Sequence, residues 1–173
     1  IVFDAAEVVD AFRLMQKSGH VGKILVKAPP AVAPAETRAP RIDPKGACLV
    51  VGGLGGFGAE TAAWMVEQGA RHVWLTSRSG RVTEPARAAI RRMEAMGAKV
   101  QTRACDAADE PAMRALIDEI EAGPARLRSV LHTAMTLDDA LFANLDADRI
   151  RTVLRPKVAG AAVLDKLTRG LKL

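Results

Sequence analysis

Gly53-Leu54-Gly55-Gly56-Phe57-Gly58 has the spacing G-x-G-x-x-G. Glycine serves three purposes in that pattern: a sharp backbone turn, close approach to a pyrophosphate, and tight packing of a helix on a strand. The run follows the apolar stretch Cys48-Leu49-Val50-Val51 and Gly52, and opens into a helix-forming segment, Ala59 to Gln68. Strand, glycine turn and helix together are the context the motif requires. Free N–H groups at the helix start, at the positive end of its dipole, then meet phosphate. Gly52, Gly53, Leu54, Gly55, Gly56, Phe57 and Gly58 are the candidate cradle. A nucleoside-triphosphatase loop needs Lys and Ser or Thr after its last glycine, and Ala59-Glu60 rules it out. A flexible glycine linker would not carry a strand and a helix on its flanks.

The second strand ends Leu75-Thr76-Ser77-Arg78-Ser79-Gly80. An Asp or Glu at this place grips a ribose 2′-hydroxyl, whereas a cation accommodates a 2′-phosphate. Arg78 offers a planar, permanently charged fork and Ser77 a hydroxyl, with no carboxylate in the run. The expected cofactor is NADPH; the alternative is that Arg78 is an ordinary loop arginine. Asp106, with Ala107 beside it, follows the third strand and can accept from an adenine amino group, or cap a turn. His132, Thr133 and Ala134 follow the fourth strand, where small residues let a cofactor lie across the strand ends. The alternative for His132 is a partly buried histidine without a ligand. His20, His72 and His132 are scattered and lie near no cysteine pair, so no metal is expected.

These residues need a scaffold, and the chain reads as one. Asp4 can cap a helix from Ala5 to about Lys17, with Val8, Val9, Phe12 and Met15 as its apolar stripe, and His20 to Lys27 reads as a strand. Residues 28–44 carry prolines at 29, 30, 34, 40 and 44 and read as a semi-rigid spacer between domains. Strands and helices then alternate. Strands are expected at Ala47–Val51, His72–Ser77, Lys99–Cys105 and Leu127–His132. Helices are expected over Phe57–Gln68, after Thr83 with Pro85 in the first turn, after Asp109, and after Asp146 with a break near Pro156. This pattern predicts an α/β fold, a Rossmann-type doubly wound parallel sheet with strand order 3-2-1-4.

The chain has 173 residues, 49% of them hydrophobic, which supports a packed core. Cys48 and Cys105 read as buried thiols of a cytosolic, cytoplasmic protein. No run reaches membrane-spanning length, and the N-terminus lacks a secretion pattern. Net charge is +5. Arg87, Arg91 and Arg92 alternate with Ala86, Ala89, Ile90 and Met93, the wet face of an amphipathic helix without interleaved aromatics, so nucleic acid is not an expected partner. The chain contains no tyrosine.

Taken as an ordered set, these segments resemble a known family. Val51-Gly52-Gly53-Leu54-Gly55-Gly56-Phe57-Gly58 is similar to the TGxxxGxG turn of short-chain dehydrogenases, with Val51 in place of Thr. The run from Leu75 to Gly80, Cys105-Asp106, Val130-Leu131-His132-Thr133-Ala134, Leu137-Asp138-Asp139 and Pro156-Lys157-Val158-Ala159-Gly160-Ala161 follow in order. From about Lys45 onward the chain resembles the ketoreductase domain of a type I modular polyketide synthase, with animal-type fatty acid synthase ketoreductases close behind. Residues 1–27 resemble the last helix and strand of an enoyl reductase, on Ala11-Phe12-Arg13-Leu14-Met15 and His20-Val21-Gly22-Lys23-Ile24.

The resemblance implies NADPH-dependent reduction of a β-ketoacyl group carried on an acyl carrier protein. It implies neighbouring enoyl reductase and dehydratase domains, within a homodimeric synthase. It assigns Lys157 to the catalytic set, orienting the active-site hydroxyls and lowering the pKa of a tyrosine acid; the alternative is a solvated helix lysine. Asp139 would help choose the side from which substrate approaches, giving the 3R alcohol, or would simply belong to a turn. The family's Ser and Tyr lie beyond the Lys157 helix, and nothing in these residues can protonate the alkoxide. The expectation is therefore a fold incomplete at its C-terminal side, inactive by itself, with its fourth strand left as a sheet edge. Two rival expectations are a degenerate, structural reductase domain and a free-standing short-chain dehydrogenase.

Overall fold

The computed structural model describes residues 1–28 and 42–173. Two compact units are distinguished, Ile1–Ala39 and Pro40–Leu173. The proline-rich spacer expected over 28–44 falls largely on positions 29–41, outside the described residues.

In the first unit, strand β1 (Val2–Phe3) pairs in parallel with β2 (Leu25–Val26). Between them run a 3-10 turn (Ala5–Glu7) and helix α1 (Val8–Gln16). The helix therefore begins three residues later than Asp4 alone would place it. The expected His20–Lys27 strand shortens to two residues, because a strand extends only as far as a partner offers backbone, and β1 offers Val2 and Phe3. Gly22, at φ +87°, also interrupts the extended run. Of α1 only Ala11 is buried; the stripe of Val8, Val9, Phe12 and Met15 is exposed.

The second unit is built on four parallel strands: β3 (Ala47–Val51), β4 (His72–Ser77), β5 (Lys99–Ala104) and β6 (Leu127–His132). Their spatial order is β5-β4-β3-β6, as the sequence pattern predicts. The helices between them are α2 (Gly56–Glu67), α3 (Glu84–Ala95) and α4 (Glu110–Ala122), and α5 (Ala147–Thr168) follows β6. Each later helix has a polar start. Thr83 Oγ1 accepts from Ala86 N at 3.3 Å, Asp109 Oδ1 from Ala112 N at 3.1 Å, and Asp146 Oδ1 from Asp148 N and Arg149 N.

Alternation along the strands sends side chains to two cores. Cys48, Val50, Val73 and Leu75 face Ala62, Ala63, Met65 and Val66 of α2 and Met93 of α3. Leu49, Val51 and Trp74 face Met113, Leu116, Ile117 and Ile120 of α4 and Leu164 of α5. Positions 113, 116, 117 and 120 follow the i, i+3, i+4, i+7 stripe of a helix with one buried face. Every residue of β3 is buried, as a central strand covered on both sides requires. A fully buried Leu such as Leu49 contributes about 1.5–3 kcal/mol. By contrast β6 pairs only with β3, and beyond Leu127 its residues are half-buried. Helix α5 runs through Pro156 without the expected break. Contacts from the strand side hold it there.

Candidate functional site

The carboxyl ends of all four strands open on one cavity of about 640 Å³, within the range of small-molecule sites. It lies where the strand order reverses, between β3 and β6, the position at which open parallel sheets bind ligands. Its wall includes Val51, Gly52 and Gly55 to Gly58 from the glycine turn and Ser77, Arg78 and Ser79 from the end of β4. Cys105, Asp106 and Ala107 after β5, Thr133 to Thr136 after β6, and Pro156 of α5 complete it.

The glycines divide the labour. Gly52 has φ +89°, and an added Cβ would stand 2.6 Å from Ala134 N. Its own N–H donates to Thr76 O at 2.9 Å, tying the turn to β4. Gly53 passes beneath Leu75, which a Cβ would meet at 2.8 Å. Gly58 brings α2 against the turn: a Cβ there would stand 2.4 Å from Gly52 O and 2.7 Å from Thr133 Oγ1. Thr133 in turn donates both its N–H and its hydroxyl to Val51 O, at 2.8 and 2.9 Å. Gly56 is open, with nothing within 4 Å of an added Cβ. The N–H of Gly52 is used on β4, and those of Gly53 and Gly55 are used locally, on Val50 O and Gly52 O. Those of Gly56, Phe57 and Gly58 occupy the first turn of α2, where no carbonyl of the helix reaches them, and these residues line the cavity.

Of the sequence-predicted residues, Gly52, Gly55, Gly56, Phe57, Gly58, Ser77, Arg78, Asp106, Ala107, Thr133 and Ala134 come together on this wall. Gly53 and Leu54 do not. Leu54 is 1% exposed and belongs to the core on the α2 side, because the turn must fold one apolar residue inward to cover Leu75 and Val73. His132 is also off the wall; its Nε2 lies 2.7 Å from Pro156 O. Lys157 is exposed and Asp139 is exposed, and neither lines the cavity. Asp138, not Asp139, makes the ion pair of that loop, with Arg149 at 3.1 Å.

Asp106 is committed to the protein on both oxygens. Oδ1 accepts from Ala108 N at 2.9 Å and Oδ2 from Arg155 Nη1 at 2.5 Å. Burial works to raise its pKa, but the Ala108 hydrogen bond, Arg155 and the charge of Arg78 together bring it below the ordinary value. Cys105 beside it is driven up, first by burial and then by the carboxylates of Asp109 and Asp106. Sequence reasoning missed Arg155, Met135, Thr136, Ser79 and Pro156. Ser79 adjoins Arg78 and was within reach of the motif, whereas the partnership of Arg155 with a residue 49 positions earlier left no local signal.

The donors present suit a dinucleotide phosphate. Ser77 lines the cavity next to Arg78, and its Oγ is buried without a hydrogen-bond partner. A buried hydroxyl left unpaired is costly unless a ligand satisfies it. The open space at Gly56 and the uncapped amides of the α2 start leave room and donors that an anion can use. Gly56, Phe57 and Gly58 would hold the pyrophosphate, and Ser77 and Arg78 a ribose phosphate.

Among protein families, the KR domain model matches residues 46–173. The chain belongs to the KR domain family. The chain is 37% identical over 167 residues to the highly reducing polyketide synthase dmxL2 of Cryptosporiopsis sp. (strain 8999), covering 93% of this chain and 7% of that protein. It is 38% identical over 169 residues to the polyketide synthase GfsB of Streptomyces halstedii, covering 97% of this chain and 3% of that one. The chain thus spans a small fraction of the curated relatives it matches. Among solved structures, A-type ketoreductases from a modular polyketide synthase align at TM-score 0.72 and 39% identity, over 84% of this chain and 30% of theirs. An A1-type ketoreductase aligns at TM-score 0.73 and 37% identity, over 83% of this chain and 30% of that one. The parallel Rossmann-type sheet is shared with these ketoreductases.

Proposed function

We propose that this KR domain segment holds NADPH for the reduction of a β-ketoacyl group, borne on an acyl carrier protein, to the β-hydroxyacyl group. The observation that carries the reading is the end of β4, where Ser77 and the exposed Arg78 both line the cavity and the Ser77 hydroxyl, buried within, has no partner. A 2′-phosphate satisfies both groups, and a 2′-hydroxyl leaves the guanidinium without an anion. When bound, NADPH supplies the hydride; one proton completes the alcohol. The chain has no tyrosine, so the proton donor implied by the family resemblance is not among these residues.

The protein's part is to bind and orient. The α2 amides fix the pyrophosphate, Thr133 and Ala134 keep the strand end low enough for the cofactor to cross, and Lys157 supports the hydroxyl groups of the catalytic set. Lys157 is exposed on α5 one residue from the cavity wall at Pro156, a placement from which a flexible four-carbon stem can turn inward. Asp139 would steer the acyl chain, and residues 1–27 would be the closing helix and strand of an enoyl reductase. Matching large synthases supports partnership with neighbouring synthase domains.

Calorimetric titration of NADPH and NADH into the chain and into Arg78→Ala tests the reading. A preference of about tenfold or more for NADPH is expected, from one charge-assisted contact of about 1.5–3 kcal/mol, and Arg78→Ala should erase it. Equal affinity for the two cofactors in the parent would refute the assignment.

A further inference from the structure

Helix α5 carries a proline at position 156 and a glycine at 160, an unfavourable pair for a helix interior. Proline removes the N–H that would bond Thr152 O and crowds that carbonyl, which ordinarily kinks or ends a helix. The helix nevertheless continues to Thr168. Two contacts from the strand side explain why. His132, the last residue of β6, places Nε2 2.7 Å from Pro156 O. Gly160 lets the next turn close over the same ring: an added Cβ would stand 3.3 Å from His132 Nε2, 3.4 Å from its Cε1 and 2.9 Å from Ala107 Cβ.

The chemistry of the ring follows. A carbonyl only accepts, so Nε2 carries the hydrogen and donates it to Pro156 O. The other nitrogen, Nδ1, is buried and has no partner. That Nε2–H is spent on α5. Pro156 is the only α5 residue on the cavity wall among the described residues, and Lys157 follows it directly.

We propose that His132 is a positioning residue: through Pro156 O it sets how closely α5 stands over the cavity, and so the place of the Pro156 wall and of Lys157. It touches no cavity space itself and acts only through the helix. The inference rests on the cavity being the NADPH site, and it deepens that reading by naming what fixes the wall opposite the glycine turn.

The test uses the chain, His132→Phe, His132→Gln and Gly160→Ala, with three readouts. Nitrogen-detected NMR of the parent should show the Nε2–H tautomer. Hydrogen exchange should show α5 amides around Gly160 opening about tenfold faster in His132→Phe, which keeps a ring and loses the donor, as the loss of one hydrogen bond implies. NADPH should bind about tenfold more weakly in that variant. His132→Gln, which presents an amide N–H at similar reach, should restore both to within about threefold. Gly160→Ala, which forces the helix outward by a different route, should reproduce the exchange and affinity changes with His132 intact. An Nδ1–H tautomer, unchanged α5 exchange in His132→Phe, or a Gln variant as impaired as Phe would each overturn the proposal. If the parent does not bind NADPH, the cofactor reading falls, and tautomer and exchange alone decide the role of His132.

Discussion

Two alanine substitutions two residues apart should separate the scaffold from the ligand surface. At Gly58 an added methyl would lie 2.4 Å from Gly52 O and 2.7 Å from Thr133 Oγ1. Neither neighbour can swing away. Gly52 is held by its N–H bond to Thr76 O, and Thr133 by two bonds to Val51 O. The start of α2 must therefore move by roughly an ångström to reach ordinary contact, a case of overpacking that costs about 1–3 kcal/mol. For a chain of this size that lowers the melting temperature by roughly 2–12 °C. The displaced amides should also weaken NADPH binding. At Gly56 the same methyl meets nothing within 4 Å. Gly56→Ala sits at the first position of a helix, so its melting temperature should hold or rise slightly. Its methyl would nevertheless stand where the pyrophosphate must approach, and NADPH affinity should fall by about tenfold or more. Thermal melting and calorimetric titration of both variants provide the readouts. A Gly58→Ala variant as stable as the parent, or a Gly56→Ala variant that binds NADPH undiminished, would refute the division of labour among the glycines.

Three further outcomes follow from the same geometry. Asp106 has a folded-state pKa below its ordinary value of 3.8, so its contribution is fully present above that value and is lost as pH falls through the lowered one. The urea midpoint of Asp106→Asn should therefore lag the parent by a constant amount from about pH 7 to 5 and converge with it below 3.8; a gap that widens in acid contradicts the Arg155 pairing. The Cys105 thiol, driven above its ordinary value by burial and nearby carboxylates, should alkylate at neutral pH more slowly than a free thiol. NADPH should slow it further, since Cys105 lines the cavity; labelling at the free-thiol rate would count against the burial seen here. Met113→Ala, at a site with no exposed surface, should cost about 2–5 kcal/mol in a urea titration, and a loss under 1 kcal/mol would mean that the α4 face repacks.

The scaffold was legible because its signals are local. Strands β3 and β4 carry apolar runs, Cys48–Val51 and Val73–Leu75, and Thr83, Asp109 and Asp146 mark helix starts by chemistry that acts within three residues. The glycine spacing and Arg78 likewise sit in contiguous stretches. What the sequence did not disclose depends on residues distant in the chain. Nothing beside Pro156 announces that His132, 24 positions earlier, holds its carbonyl, so a break was the reasonable expectation. Leu54 stands inside the motif yet turns into the core, because the motif constrains glycines and leaves the intervening side chains to packing. The first unit shows the same limit: an alternating run from His20 to Lys27 becomes a strand only where Val2 and Phe3 meet it.

The central claim is that the unspent amides at the start of α2 hold a diphosphate while Ser77 and Arg78 select the extra phosphate. Amide NMR of the chain during parallel titrations with NADPH and NADH tests it most directly. The account predicts the largest shifts at Gly56, Phe57 and Gly58 with both cofactors, and shifts at Ser77, Arg78 and Ser79 with NADPH that NADH does not reproduce. Shifts elsewhere with these amides unmoved, or the same β4 response to both cofactors, would contradict it.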